Sequence, residues 1–192
     1  MARGHAEALV PMVQAVCAQA GVDLAAVGAI AVTRGPGTFT GIRIGLATAR
    51  GFALTIGCPV IGVSTLEVIA ASAQLPTDPA PILVVQDARR GEIYAQRIGA
   101  TPKESPAPQL LAVADLAAAF PERPLRLVGS GALLAADRLG PGATVAAGEV
   151  LPQAAVLAGL AAARLQRHGP AHFAAPPSPL YLRAPDAKLP SP

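Results

Sequence analysis

Arg34-Gly35-Pro36-Gly37-Thr38-Phe39-Thr40-Gly41-Ile42-Arg43 lies between a short apolar run, Ala29 to Val32, and a longer segment with helical periodicity. The run reads as a buried strand. In the segment from about Thr40 to Ile56, Ile42, Leu46, Ala49, Ala53 and Ile56 form one apolar face. Gly41 and Gly45 fall one turn apart on another face, where small residues permit close helix contact. A loop between a strand and a helix N-terminus can offer backbone N–H groups, the Thr38 and Thr40 hydroxyls and the helix dipole to an anion. The stretch has neither the Gly-Lys-Ser/Thr ending of a Walker A loop nor a GxGxxG fingerprint. Two readings stay open on the residues alone. One is an anion or nucleotide loop built from Arg34, Gly35, Gly37, Thr38, Thr40, Gly41 and Arg43; the other is a turn with a purely structural role.

Upstream, Leu9, Met12, Val13, Val16, Cys17 and Ala20 recur at helical spacing and Gly21 follows as a C-terminal cap, which predicts a helix over about His5 to Ala20 with a kink at Pro11. Asp23 suits the cap of a short turn. Downstream, Gly57 and Pro59 end the second helix, Val60 to Val63 reads as a second buried strand, and Ser64 with Glu67 forms a capping box for a third helix. Strand, helix, strand, helix predicts an α/β fold with a parallel pair. Beyond a proline-rich connection, Leu75 to Pro81, two strand-like runs flank Asp87-Ala88-Arg89-Arg90-Gly91 and predict a β-hairpin ending near Ile98. A helix near Val113 to Phe120, a strand at Leu125 to Val128, a turn at Gly129-Ser130-Gly131, a short helix, an Ala-rich helix over about Pro152 to Arg167 and a segment at Pro179 to Arg183 follow. The expected division is a first lobe over 1–80, a second over 81–184 and a tail over 185–192.

Composition narrows the function. Fifteen basic against twelve acidic residues give a net charge of +3 with no basic run, and only 3% of residues are aromatic. Both facts argue against a chain whose main work is gripping nucleic acid or stacking bases. A mean hydropathy of +0.47 with 14% charged residues fits apolar surface covered by another subunit, or simple alanine enrichment. Cys17 and Cys58 have no Cys or His companion at ligand spacing and read as reduced, buried thiols. The uncharged window between Arg50 and Glu67 is shorter than a bilayer-spanning helix and is broken by Gly57 and Pro59. Arg3 and the stretch ending in Ala18-Gln19-Ala20 mimic a secretory signal, but His5, Glu7, Pro11 and Gln14 interrupt it. A cytoplasmic protein is expected.

As a set, these segments resemble the TsaB (YeaZ-like) family. The ten-residue loop is similar to that family's RGPGSFTGxR, with Thr38 in the serine position. The resemblance continues in His5-Ala6-Glu7 through Leu9-Val10-Pro11-Met12, in Gly62-Val63-Ser64-Thr65-Leu66, in Asp87-Ala88-Arg89-Arg90-Gly91-Glu92-Ile93-Tyr94 and in Pro179-Leu180-Tyr181-Leu182-Arg183, all in the family's order. It implies an actin-like, Hsp70-like (ASKHA, RNase H-like) fold of two lobes. It also implies a non-catalytic scaffold subunit in the complex that forms threonylcarbamoyladenosine (t6A) beside the anticodon of certain tRNAs. The implied partners are TsaD, which carries the catalysis and most of the tRNA contact, and the ATPase subunit TsaE. In the absence of TsaD the same surface could form a homodimer. No cofactor of its own is implied, and ATP would sit at the complex interface or on partner subunits. With the apolar stripe and the small residues, the family's pairing marks Leu9, Met12, Val13, Val16, Gly41, Gly45 and Thr48 as the partner interface.

TsaD holds a metal with a His-x-x-x-His on a helix; here the residue four after His5 is Leu9, so neither a metal site nor a catalytic residue is expected. Glu67 has a capping role, Asp87, Arg89, Arg90 and Glu92 fit a solvated turn, and His168 and His172 read as surface residues. Two rival functions have less support. An ATP-using enzyme of the same fold is prompted by Gly129-Ser130-Gly131, and a glycoprotease-like peptidase lacks any recognisable catalytic order. Family members begin with a strand-rich segment that has no counterpart here, about 30 residues by the usual length of three strands and their turns. The first lobe is therefore expected to be N-terminally incomplete, with a misassigned start favoured over a shortened chain or a lineage that lost the segment. An upstream reading frame encoding a strand pair accords with that; an in-frame stop immediately before Met1 excludes it.

Overall fold

The computed structural model describes residues 5–75, 80–99, 105–146 and 150–183. Residues 76–79 of the proline-rich connection, the expected tail and the His5 side chain lie outside the described residues. The chain divides into two units, Met1–Thr77 with Glu149–Leu180, and Asp78–Gly148 with Tyr181–Pro192.

The first unit contains helix α1 (His5–Ala20), strand β1 (Ile30–Thr33), helix α2 (Phe39–Ile56), strand β2 (Val60–Val63), helix α3 (Thr65–Ser72) and helix α6 (Ala154–His168). β1 and β2 pair in parallel from Ile30 opposite Val60 to Thr33 opposite Val63. Among the described residues they pair only with each other. Because successive strand side chains point to opposite faces, the pair feeds two apolar layers. Val32 and Val60 meet Ile42, Leu46, Ala49 and Ala53 of α2 on one side. Ile61 and Val63 meet Val68 of α3 and Ala161 of α6 on the other. The four α2 residues of that layer belong to the face marked by the sequence spacing.

Local chemistry sets the ends of these elements. Thr38 is the N-cap of α2 and Gly57, at φ 78°, its left-handed C-cap. Glu67 Oε2 accepts the Ser64 N–H at 3.2 Å, the glutamate half of the expected capping box, and Asp23 Oδ1 accepts the Ala25 N–H at 2.9 Å. α1 continues through Pro11.

α6 corrects one expectation. The Ala-rich helix belongs to the first unit, not to the second lobe. Its small and branched residues, Val156, Leu157, Leu160 and Ala161, form a low-profile face that fits against β1 and β2. Arg164 fastens it, donating to the Gly62 carbonyl at 2.8 Å and pairing with Glu67 Oε1 at 2.6 Å. The segment after α6 stays with this unit as far as Leu180: Arg50 Nη2 donates to the Pro177 carbonyl at 2.7 Å. Pro177 lies so close over β2 that a Cβ on Gly62 would come within 2.5 Å of its Cβ.

The second unit is a five-stranded mixed sheet in the order β5-β4-β3-β6-β7. Its strands are β3 (Ile82–Arg89), β4 (Glu92–Ile98), β5 (Gln109–Ala112), β6 (Leu125–Val128) and β7 (Ala143–Val145). β3–β4 is the expected hairpin, and β6 runs parallel to β3. Alternate residues Leu83, Val85, Ile93 and Ala95 face Leu116, Phe120, Ala132, Ala135 and Leu139 of helices α4 (Leu116–Ala119) and α5 (Ala132–Leu139). Arg123 bonds the carbonyls of Phe120 and Leu139 at 2.7 and 2.9 Å, closing the C-terminal ends of both helices. The expected helix near Val113 to Phe120 is a 3-10 turn, Val113–Asp115, followed by the single turn α4. The edge strands β5 and β7 are short, four and three residues, and have no counterpart in the sequence reading.

Gly129, at φ 108°, has no room for a side chain: a Cβ there would lie 2.4 Å from the Val85 carbonyl oxygen. Gly159, within α6, has nothing within 4 Å of its Cβ position. In urea unfolding, Gly129→Ala is expected to destabilise the second unit by about 2–4 kcal/mol. Gly159→Ala is expected to stabilise the first by about 0.5–1 kcal/mol. Equal effects at the two positions would contradict this packing.

Candidate functional site

The glycine loop is held by backbone hydrogen bonds on three sides. Arg34 N–H donates to the Val63 carbonyl at 3.0 Å, Thr65 N–H to Gly35 at 2.9 Å, and Leu180 N–H to Arg34 at 2.7 Å. Gly35 adopts φ 111°, and a Cβ there would sit 2.7 Å from the Leu180 carbonyl and 3.0 Å from Ile42 Cδ1. Gly35 and Pro36 are buried, Arg34 and Gly37 half-buried, and Thr38, Thr40, Gly41 and Arg43 exposed. Thr38 Oγ1 accepts the Gly41 N–H at 3.3 Å. A Cβ on Gly41 would come within 2.7 Å of that same oxygen. The glycines at 35 and 41 therefore answer to packing and capping within this unit. Arg43 lies with its guanidinium carbon 3.9 Å from the centroid of the Phe39 ring, an i, i+4 cation–π pair on the helix surface. That spacing was visible in the sequence, although the pair was not read there.

α1 is the unusual element. None of its described side chains is buried. It lies against α2, and the two helices bound a groove of about 320 Å³ lined by Ala8, Leu9, Met12, Thr38, Gly41, Ile44 and Gly45. The expected interface residues separate into two groups. Leu9, Val13, Gly45 and Thr48 are half-buried, while Gly41 is exposed and Met12 and Val16 remain 49% and 58% exposed, with Val10 beside them at 38%. Val10 had not been singled out, because it falls outside the main stripe. A Cβ on Gly45 would meet Val32 Cγ2 at 3.7 Å, an ordinary contact. The fold of this chain therefore tolerates alanine there.

Elsewhere, the acidic candidates are engaged in local structure. Glu67 caps α3 and pairs with Arg164. Asp87 bonds the Arg89 N–H at 2.7 Å, and Glu92 pairs with Arg183. The Gly129-Ser130-Gly131 turn is drawn into β3: Gly131 N–H donates to the Val85 carbonyl at 3.0 Å, and Ser130 Oγ accepts the Asp87 N–H at 3.1 Å. Its polar groups thus serve the sheet. His168 and His172 stack at 4.8 Å between centroids, with Phe173 edge-on to His172. Among the described residues, no three His, Cys, Asp or Glu side chains gather to hold a metal, and no helix is long and apolar enough to cross a membrane.

Comparison with known proteins accords with this geometry. The family model for TsaD, tRNA N6-adenosine threonylcarbamoyltransferase, matches residues 1–126. The Escherichia coli tRNA threonylcarbamoyladenosine biosynthesis protein TsaB is 44% identical over 92 residues, which are 48% of this chain and 40% of that protein. An uncharacterized Mycobacterium bovis protein is 36% identical over 190 residues, 97% of this chain and 79% of its own length. The solved structure of YeaZ from Pseudomonas aeruginosa superposes with a TM-score of 0.75 at 32% identity, covering 94% of this chain and 85% of that one.

The mixed α/β architecture is thus of the actin-like, Hsp70-like (ASKHA) class. Within that class, the chain belongs to the TsaB/YeaZ family.

The Thr38–Gly41 contact gives a direct test of the loop's role. Thr38→Ala is expected to lower stability by about 1 kcal/mol through loss of the cap. Gly41→Ala should also destabilise the wild type, yet become neutral or stabilising in the Thr38→Ala background, where the clash is gone and alanine favours helix by up to about 1 kcal/mol. Additive effects in a urea double-mutant cycle would contradict the contact.

Proposed function

We propose that this chain is a non-catalytic scaffold subunit of the threonylcarbamoyl transferase complex that forms t6A on tRNA, docking TsaD through α1 and the first turns of α2. One observation carries the reading: a 16-residue helix without a buried side chain among those described, presenting Val10, Met12 and Val16 beside an open groove. A helix that adds so little to its own core needs another reason to keep branched and long apolar side chains in water. A partner helix laid along this face, with side chains entering the groove over Gly41 and Gly45, supplies that reason. A partner homologous to this chain is supported by the TsaD model matching residues 1–126.

In this reading TsaD performs the transfer and makes most of the tRNA contact, and TsaE joins through the same assembly. ATP is held by those subunits or at their boundary with this chain, and the complex works in the cytoplasm. Without TsaD, two copies of this chain pair through the same face. The non-catalytic role is supported by the structural work already done by Glu67, Asp87 and Glu92.

Because Met12 and Val16 are exposed, charged replacements can probe docking while sparing the fold. Size-exclusion chromatography with light scattering should give a stable mixed species for the chain with TsaD from the same organism. Met12→Asp with Val16→Asp should weaken it at least about tenfold, the loss of a small hot spot, with thermal stability changed by less than about 0.5 kcal/mol. Undiminished co-elution of the double variant would exclude this face as the interface.

A further inference from the structure

The β3–β4 hairpin closes in a way its residue types disfavour. The ladder ends at Arg89 opposite Glu92, leaving Arg90 and Gly91 as the connection, with a bulge between Asp87 and Arg89. Arg89, Arg90 and Gly91 all have positive φ, 65°, 58° and 73°. Two-residue hairpin turns of this hand favour Asn-Gly or Asp-Gly, because asparagine, aspartate and glycine tolerate the left-handed region. Here arginine occupies two of the three positions. All three residues are exposed, and a Cβ on Gly91 would meet nothing within 4 Å.

The conformation is instead held from below. Asp87 Oδ1 accepts the Arg89 N–H, the Asp87 N–H is bonded to Ser130 Oγ, and Arg183 both pairs with Glu92 and donates to the Arg89 carbonyl at 3.5 Å. Strained backbone that its surroundings actively maintain points to a use for the side chains it presents. The Arg89 side chain is 86% exposed, and its pairing with Asp87 at 3.4 Å is of the weak surface kind. Three guanidiniums, of Arg89, Arg90 and Arg183, stand against two carboxylates at this tip.

We infer that Arg89 and Arg90, at the tip of the β3–β4 hairpin, contact the phosphate backbone of RNA. The inference rests on the proposed role in tRNA modification and adds a contact made by this chain itself. Exposed cations on a narrow turn suit successive phosphates of a polymer, which need charge and position but no enclosing pocket. The same geometry carries no base readout, so the contact would orient tRNA without selecting its sequence.

The test is the salt dependence of binding to an unmodified tRNA transcript, measured by filter binding with the complex of this chain and TsaD. Arg89→Asn with Arg90→Asn removes both charges and places a residue favoured at positive φ, so its thermal midpoint should stay level or rise. Affinity at low salt is expected to fall about tenfold, and the slope of log K against log salt to become shallower by about 1–2, one for each lost phosphate contact. Arg89→Lys with Arg90→Lys should keep most of the slope. Unchanged affinity and slope in the asparagine variant would overturn the inference, as would loss of TsaD co-elution in that variant, which would make the tip a protein contact. If the unaltered chain does not co-elute with TsaD, the proposed function fails. The same titration on the chain alone then decides the hairpin: a shallower slope for the asparagine variant supports the RNA contact and an equal slope overturns it.

Discussion

The constraint on which the first unit depends is the threading of Arg34 and Gly35 between three backbone partners, Val63, Thr65 and Leu180. Each bond ties the loop to a different element: the end of β2, the start of α3 and the segment after α6. Gly35 fits only because it lacks a Cβ, and its φ of 111° is one that other residues rarely adopt. With the loop anchored there, Thr38 falls at the cap position of α2. The direction of α2 then places Gly41, Ile44 and Gly45 along one side of the groove and α1 along the other. The loop thus sets the start of α2.

α1 and α2 divide the work of that helix pair unequally. α2 sends Ile42, Leu46, Ala49 and Ala53 into the unit's interior and is anchored by burial. Among its described side chains α1 buries none fully, and Ala8, Leu9, Val13 and Cys17 are half-buried. A surface built this way has little to lose when a partner covers it, and the apolar area is already exposed. The same contrast recurs in the hairpin of the second unit, where Asp87, Ser130, Glu92 and Arg183 hold a turn that leaves Arg89 and Arg90 exposed.

Much of this was legible from the chain. The α2 face, the caps at Asp23 and Glu67, the parallel strand pair and the hairpin all follow from periodicities and turn residues that act over a few positions. What could not be read depends on contacts across long separations or on length. Glu67 and Arg164 are 97 residues apart, and nothing near either announces the pairing. It is part of what draws α6 to the first unit, although sequence order suggests the second. β5 and β7 are too short for an alternating pattern to show. Most instructive is the stripe on α1: Leu9, Met12, Val13 and Val16 look the same in sequence whether they face a core or solvent, and only the structure separates Leu9 and Val13, half-buried, from Met12 and Val16, exposed. The RGPGTFTGIR loop carried the family resemblance more clearly than it carried any chemistry.

Docking of a second subunit on α1 is open to measurement by hydrogen–deuterium exchange on this chain, alone and with TsaD, because amide protection reports burial element by element. Slowed exchange is expected in α1 and the first turns of α2 when TsaD is present, with the second unit's sheet unchanged. Binding accompanied by protection elsewhere, and none in α1, would contradict it.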